Sequence, residues 1–255
     1  MSSIEATPKE SSRKGWIAWA LAWVLSVVLA FVLGYQMGPG PAAVSMPSSS
    51  DASPAPAAGT TPEASQTPDP EVLELLRKLP RRQADDPLAK GRVDAKVVLT
   101  EWSDYQCPYC GRWALQTLPE LQRYVDDGTL RIEYRDLAVL SAESANVATA
   151  ARAAGQQGRF WEYYNAVFED LANGGKDRSS AALVNLARTA GVPDLARFEA
   201  DLADPALQEA VMRDTQEGRG LGINTTPFFV INTTVINGAQ PTAEFVAAIE
   251  AHAKD

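Results

Sequence analysis

Hydrophobic positions are dealt out unevenly along this chain. Residues 16–35 carry no charge over 20 positions, and Ser26 is the only strongly polar side chain among them. That length matches the roughly 20 helical residues needed to cross a hydrocarbon core. Trp16, Trp19 and Trp23 gather at one end of the run and Tyr35 stands at the other, as interfacial aromatics do. Arg13 and Lys14 precede the run, and no basic residue follows it until Arg77. The positive-inside rule then puts the N-terminus in the cytoplasm and everything after the run outside. The pattern predicts a cytoplasmic tail over 1–15 and a transmembrane helix over 16–36. A cleaved signal peptide is the competing reading, but its apolar region normally runs only about 7–15 residues. Residues 38–68 hold seven prolines among Ala, Ser, Thr and Gly, with only Asp51 and Glu63 charged. Such a stretch buries no core, which predicts a disordered linker over 37–70. Its reach is about 30 Å as a coil and up to about 95 Å if fully polyproline-extended.

Periodic patterning begins at residue 71. Val72, Leu75, Leu76 and Leu79 have helical spacing that stops at Pro80, and Asp85-Asp86-Pro87 reads as a turn with Leu88 opening an edge strand. Residues 97–102 are a mostly apolar run, a buried strand. Cys110, Ala114, Leu118, Leu121 and Val125 then recur at steps of 4, 4, 3 and 4, the core stripe of a helix. Leu130, Ile132 and Tyr134 alternate with Arg131, Glu133 and Arg135, which predicts a half-buried strand. Residues 141–218 read as mostly helical. One stripe is Phe160, Tyr164, Val167, Phe168 and Leu171; a second is Leu183, Leu186 and Ala190, closed by Gly191 and Pro193; Leu195, Phe198 and Leu202 suggest a third. Phe228 to Ile231 is a buried strand with Pro227 just before it, where a proline need not donate to the ladder. Val235-Ile236 pairs back as a hairpin, Asn237-Gly238 turns, and Pro241 opens a last helix with Phe245, Ala248 and Ile249 inward. The order is strand, helix, strand, helices, strand, strand, helix. It predicts an α/β domain over 71–255 with a thioredoxin topology and a helical insert at about 141–218.

Charge narrows the function. The net charge is −9, and up to Gly40 three basic residues stand against two acidic ones, so the remainder nets −10. That argues against nucleic acid or an anionic lipid surface as partner. The only cysteines are Cys107 and Cys110, and His252 is the sole histidine, too few for a four-ligand zinc site within one chain. A CxxC that follows a strand and opens a helix reads as a redox motif. The helix N-terminus carries unsatisfied N–H groups and about half a positive charge, which favour a thiolate, the form that attacks disulfides. Pro108 suits the first helical position. The stripe sends Cys110 inward and leaves Cys107 at the exposed mouth, so one thiol attacks and the other resolves. Tyr109, inside the motif, is placed for tuning and substrate contact. Trp113 and Trp161 read as packing, and His252 as a capping or surface residue. Glu101 has two readings. It faces outward on an edge strand, or it points inward beside Val97-Val98-Leu99 and Trp102, where burial raises its pKa and suits it to moving protons.

The stretches EWSDYQCPYC, IEYRDL, GRFWEYYNAVF and GINTTPFFVIN together resemble the DsbA-like family of thiol–disulfide oxidoreductases, here as a membrane-anchored member. The resemblance runs from about Leu88 to the C-terminus. It implies a cis-proline beside the CxxC at Pro227, preceded by Thr226, whose backbone pairs with a substrate strand. It also implies a carboxylate beneath the buried cysteine at Glu101, six residues before Cys107. The family's best-known periplasmic oxidase has His inside its CxxC, whereas this chain has Pro108-Tyr109, a pair also typical of glutaredoxins. With no cation or imidazole in the dipeptide, the Cys107 pKa is expected between about 3.5 and 7.

The expected function is extracytoplasmic oxidation of cysteines in unfolded or partly folded secreted proteins, through a redox-active Cys107–Cys110 disulfide and no other cofactor or metal. The resemblance implies re-oxidation by a membrane quinone-linked thiol oxidase. The expected setting is a bacterial cell membrane, single-pass, with a monomeric catalytic domain outside. Two alternatives stand: a reductase or isomerase kept reduced by a membrane donor, and a non-catalytic thioredoxin-fold binding module.

Overall fold

A computed structural model describes residues 69–254. The expected tail, membrane helix and nearly all of the linker lie outside these residues. Among the described residues, no helix is long and apolar enough to cross a membrane.

Helix α1 (Pro70–Arg77) starts inside the segment assigned to the linker, because Asp69 caps it by accepting the Glu71 N–H and Pro70 takes its first turn. Only half of its apolar stripe is used. Leu76 and Leu79 are buried, while Val72 and Leu75 stay exposed.

Strands β1 (Ala89–Lys90), β2 (Val97–Ser103), β3 (Leu130–Asp136), β4 (Phe228–Ile231) and β5 (Thr234–Asn237) form one five-stranded sheet in the order β1-β3-β2-β4-β5. The central strand β2 runs parallel to β3 and antiparallel to β4, with Glu101 opposite Tyr134 on one side and Phe229 on the other. Every residue of β2 is buried, since the sheet is covered on both faces. Val97 and Leu99 join one core cluster with the two cysteines, and Trp102 joins another with Leu76, Leu79 and Val230.

Strand β3 departs from the half-buried reading. Arg131, Glu133 and Arg135 are as buried as their apolar neighbours, because the segment after α1 lies over their face. Glu133 accepts the Arg81 and Arg82 backbone N–H groups at 2.8 Å each, Arg131 Nε at 2.8 Å and an Arg135 guanidinium nitrogen at 3.0 Å. Burial alone raises the Glu133 carboxyl, but these partners offset it and hold the group below its usual range. Charges can be buried here because each is paired and hydrogen-bonded.

The helix that opens on the motif is not continuous. Helix α2 (Pro108–Arg112) passes into a π-helical turn over Trp113–Thr117 before α3 (Leu118–Asp126). Pro119 has no N–H to give the Leu115 carbonyl, and the Leu118 N–H reaches back five residues to Trp113 instead. The turn keeps Cys110, Ala114, Leu118 and Leu121 of the predicted stripe buried, with Val125 partly so, and also brings in Trp113, packed on Phe229 and Phe245 at centroid distances of 4.6 and 5.8 Å.

The insert holds α4 (Ser144–Gly155), α5 (Phe160–Ala172), α6 (Ser180–Thr189), α7 (Leu195–Asp201) and α8 (Pro205–Gly220). The three stripes fall on α5, α6 and α7. Helix α4 has no stripe because its alanines are buried nearly all round, and α8 presents Asp214, Thr215 and Gly218 inward beside Leu207 and Val211. A Cβ at Gly218 would stand 3.0 Å from the Trp102 ring, so glycine lets α8 approach the sheet. Helix α9 (Thr242–Lys254) closes the fold with Phe245 and Ile249 inward, and His252 meets the Thr234 hydroxyl at 3.0 Å.

Candidate active site

The site forms where β2 gives way to α2. Asp104 shapes the turn between them: its carboxylate accepts the Gln106 N–H at 2.8 Å, the Ser144 hydroxyl at 2.9 Å, and the Val139 and Leu140 N–H groups at 2.8 and 3.0 Å. One aspartate thus ties the motif to the entrance of the helical insert. Sequence reasoning passed it over, although an Asp two residues before Gln106 in a turn is an Asx-turn signal.

Cys107 caps α2 in an extended conformation, Pro108 occupies the first turn, and the Gly111 N–H returns to the Cys107 carbonyl at 3.1 Å. The Cys107 thiol donates to the Thr226 carbonyl at 3.4 Å. The Thr226–Pro227 peptide bond is cis, so the structure brings Cys107, Cys110, Pro108, Thr226 and Pro227 together. One expectation needs correction. Cys107 is not at an exposed mouth: with the Thr226 segment against it, the residue is only 3% exposed. The open positions are Pro108 and Tyr109, the tyrosine 55% exposed with its ring under the Arg112 guanidinium at 4.9 Å.

The two thiols are driven apart electrostatically. Hydrogen bonding from Cys110 is the largest influence on Cys107; with Thr226 and the N–H groups of Cys110 and Tyr109 it outweighs burial and brings the thiol down to about 6. Cys110 moves the other way, well above its usual value, first through burial and then through its neighbour Cys107. A helix N-terminus and a donor thiol both favour a stable thiolate.

Glu101 takes the inward reading. It is fully buried, Tyr164 donates its hydroxyl to Oε1 at 3.0 Å, and burial pushes the carboxyl up to about 8. The Tyr164 hydrogen bond, the nearby Ser103 hydroxyl and the charge of Lys90 hold it back from a larger rise. Tyr164 packs edge-on to Tyr134 and Phe168, and Lys90 Nζ sits 4.2 Å over the Trp161 ring, so Trp161 carries a cation as well as packing. Tyr164 belonged to a predicted stripe, but its spacing alone gives no sign of a carboxyl partner.

A family profile described as thioredoxin matches residues 83–251. The chain belongs to the thioredoxin family. It is 28% identical over 187 residues to the Na(+)/H(+) antiporter NhaA 1 of Mycolicibacterium vanbaalenii, covering 72% of this chain but 29% of the antiporter. The chain therefore spans less than a third of the length of the curated relatives it first matches. It is also 24% identical over 152 residues to the probable disulfide bond formation protein D of Bacillus cereus, covering 58% of this chain and 70% of that protein. The crystal structure of oxidised BdbD from Bacillus subtilis superposes with a TM-score of 0.62 at 21% identity, covering 68% of this chain and 96% of that one. The fold of this thioredoxin-family chain is that of the DsbA-like thiol–disulfide oxidoreductases, as the resemblance implied.

The split between the thiols predicts a simple titration. In the reduced protein, alkylation of Cys107 by iodoacetamide is expected to rise through a pH near 6 and level off before 8, with Cys110 unmodified over that range. Mass mapping of the labelled cysteine decides it, and preferential labelling of Cys110 reverses the roles.

Proposed function

We propose that this chain oxidises cysteines of secreted proteins outside the cytoplasmic membrane, cycling through a Cys107–Cys110 disulfide. The observation that carries the reading is the opposed pair: Cys107 brought down to about 6 at the helix N-terminus, and Cys110 raised behind it. A substrate thiolate attacks Cys107 Sγ, the intramolecular S–S bond breaks, and Cys110 leaves with the electron pair and takes up a proton. A second substrate thiolate attacks the substrate sulfur of the mixed disulfide and expels Cys107. The substrate gains a disulfide, and the chain holds the two electrons as a dithiol. Cys107 leaves readily because its thiolate is stable at neutral pH.

Each remaining site residue has a part in this scheme. Thr226 presents backbone beside Cys107 for a substrate strand, with Pro227 shaping that edge. Tyr109, exposed over the helix mouth, touches substrate and tunes the motif with Pro108, and Glu101 moves the proton of Cys110. The segments 16–36 and 37–70 serve as a bacterial membrane anchor and tether for a monomeric domain. Disulfides persist in that compartment, and a membrane quinone-linked thiol oxidase restores the disulfide.

A second reading, a reductase or isomerase kept reduced by a membrane donor, draws on one fact. Cys107 reaches about 6, short of the roughly 3.5 of a strong oxidant. A direct test mixes the full chain, in its disulfide form, with a reduced unfolded cysteine protein and no other oxidant. The expected result is one substrate disulfide per chain reduced; a substrate that stays reduced contradicts the oxidase direction. A function in cells that survives loss of both thiols supports the binding-module alternative.

A further inference from the structure

The clefts of the described residues differ in charge. Three of them mix signs: Asp86, Asp214 and Glu217 face arginines in one, Glu143 and Asp177 face a lysine and an arginine in a second, and Asp94 and Asp127 do so in a third. A fourth, of about 300 Å³, has Arg77, Arg82, Lys96 and His252 around it with Asn232 and Thr233, and no carboxylate in its lining. The chain holds 32 acidic residues against 23 basic ones, so this lining runs against the excess.

Arg82 is delivered to the cleft by the buried network of β3. Glu133 accepts the Arg81 and Arg82 backbone N–H groups and fixes the chain there. Arg81 turns inward to Asp214 at 2.7 Å, and Arg82 is held in the left-handed region with φ 47°. An arginine seldom adopts that conformation, and it persists only where the surroundings impose it. Among the described residues one other non-glycine residue has a positive φ, Asn232 at 52°, and it lines the same cleft. Asparagine tolerates this region more readily. Its side chain accepts the Val98 N–H at 2.9 Å and donates to the Lys96 carbonyl at 3.3 Å. Residues fixed in this way gather at ligand clamps.

The cations here are positioned without all being neutralised. Arg82 Nη1 donates to the Val93 and Ala95 carbonyls at 2.9 and 2.8 Å, which orients the guanidinium and leaves its Nε and Nη2 without a partner among the described residues. Asp94, the carboxylate that feels the Arg82 charge, is already gripped by Arg92 at 2.9 and 2.8 Å. Lys96 Nζ donates to the Ala253 carbonyl at 2.9 Å, where it answers the partial negative charge ending α9. Arg77 is paired with Glu74 at 2.8 Å. Arg82 is therefore the dominant open charge. Its free Nε–Nη2 edge is a fork that matches two oxygens of an oxyanion. Arg82 and Lys96 are both exposed, so a ligand reaches them from solvent.

We propose that this cleft binds a phosphoryl group, with Arg82 gripping two of its oxygens and Lys96 and the Thr233 hydroxyl taking the others. A carboxylate has too few oxygens to serve all of these donors. A volume of about 300 Å³ lies at the low end of small-ligand sites, with room for a phosphate and the group that bears it. The net charge of −9 opposes an extended anionic surface, so the ligand is a single phosphoryl group, free, on a small ester or on one lipid head. The cleft stands at the Lys96 end of β2 and the CxxC follows the Ser103 end, about 20 Å along the strand. Ligand and thiol substrate do not compete there, and the site stands independently of the redox reading.

The test is calorimetric titration of the full chain, held in a neutral detergent, with inorganic phosphate, glycerol phosphate, and short-chain phosphatidylglycerol or phosphatidylcholine. The wild-type chain is expected to bind inorganic phosphate at a single site with a Kd below about 1 mM. Arg82→Ala weakens binding at least about tenfold, the scale of one charge-assisted hydrogen bond. Lys96→Gln, which leaves the Arg82 backbone untouched, weakens it about threefold or more and decides the matter if Arg82→Ala does not fold. Lys176→Ala, in a mixed cleft, keeps the wild-type affinity. Tighter binding of glycerol phosphate than of either lipid assigns the site to soluble phosphoryl compounds, and tighter binding of phosphatidylglycerol than of every other probe assigns it to a lipid head. No binding of any probe, an affinity unchanged in Arg82→Ala and Lys96→Gln, or an equal loss in Lys176→Ala overturns the proposal. Opening of the disulfide by a cysteine peptide is expected to be the same in Lys96→Gln and wild type, so failure of this site leaves the thiol–disulfide reading intact.

Discussion

Replacing Cys107 with Ser is expected to abolish catalysed thiol oxidation, a loss of at least about a thousandfold, while Cys110→Ala converts the chain into a trap. The two outcomes differ because the sites differ. Cys107 lies at the helix N-terminus beside the Thr226 carbonyl and is stable as a thiolate near pH 6. A serine oxygen there forms no disulfide, so neither the enzyme disulfide nor the mixed disulfide can exist. Cys110→Ala leaves that thiolate in place and removes the thiol that would release a covalently bound partner. Mixed disulfides with secreted, cysteine-containing proteins are expected to accumulate, seen as adducts on a non-reducing gel and identified by mass spectrometry. Adducts in Cys107→Ser, or adducts of Cys110→Ala made only with cytoplasmic proteins, would contradict the mechanism or the orientation at the membrane.

Glu101→Gln is expected to make the protein more stable and less active. Burial raises the carboxyl from 4.5 to about 8 in the folded state, so the sign follows from proton binding. Below 4.5 both the folded and unfolded chains hold the proton, and the full stability is present. Between 4.5 and about 8 the unfolded chain releases a proton that the fold keeps, so stability falls as pH rises through that window. At about 1.36 kcal/mol per unit, the loss by pH 7 is on the order of 3 kcal/mol. Glutamine does not titrate, and its amide oxygen can still accept from the Tyr164 hydroxyl. Urea unfolding is expected to show a gain at pH 7 that exceeds the gain at pH 4 by on the order of 3 kcal/mol, alongside slower disulfide opening. A gain that does not change with pH would mean that Glu101 is not buried as a neutral acid. Stability given up at a site in return for chemistry is a common pattern.

Much of this fold can be read in the sequence because its elements announce themselves through periodicity. The apolar run of β2, the stripe after Cys110 and the Thr226-Pro227 approach to β4 each follow from spacing and residue type. What was hidden had physical reasons. Helix α4 is alanine on almost every side, so its burial leaves no stripe, and α8 turns Asp214 and Thr215 inward, where an apolar pattern finds nothing. Strand β3 alternates as a surface strand does, yet Glu133 is covered by backbone N–H groups some fifty residues earlier. No local pattern encodes that partner. The burial of Cys107 depends likewise on Thr226, far along the chain. Glu101 had two faces open to it, and only the sheet order, which makes β2 central, chooses between them. Ser103 and Tyr164 carried no signal at all, since a serine ending a strand and a tyrosine in a stripe are ordinary.

The central claim is that this chain removes electrons from secreted proteins, and its resting redox state tests that most directly. Growing cells would be quenched in acid, their free thiols capped with a heavy alkylating tag, and the chain resolved by the mass added at Cys107 and Cys110. An oxidase waits for substrate as the disulfide, so most of the chain is expected to add no tag. A resting population that is mostly doubly tagged dithiol would contradict the account and place the chain among reductases or isomerases.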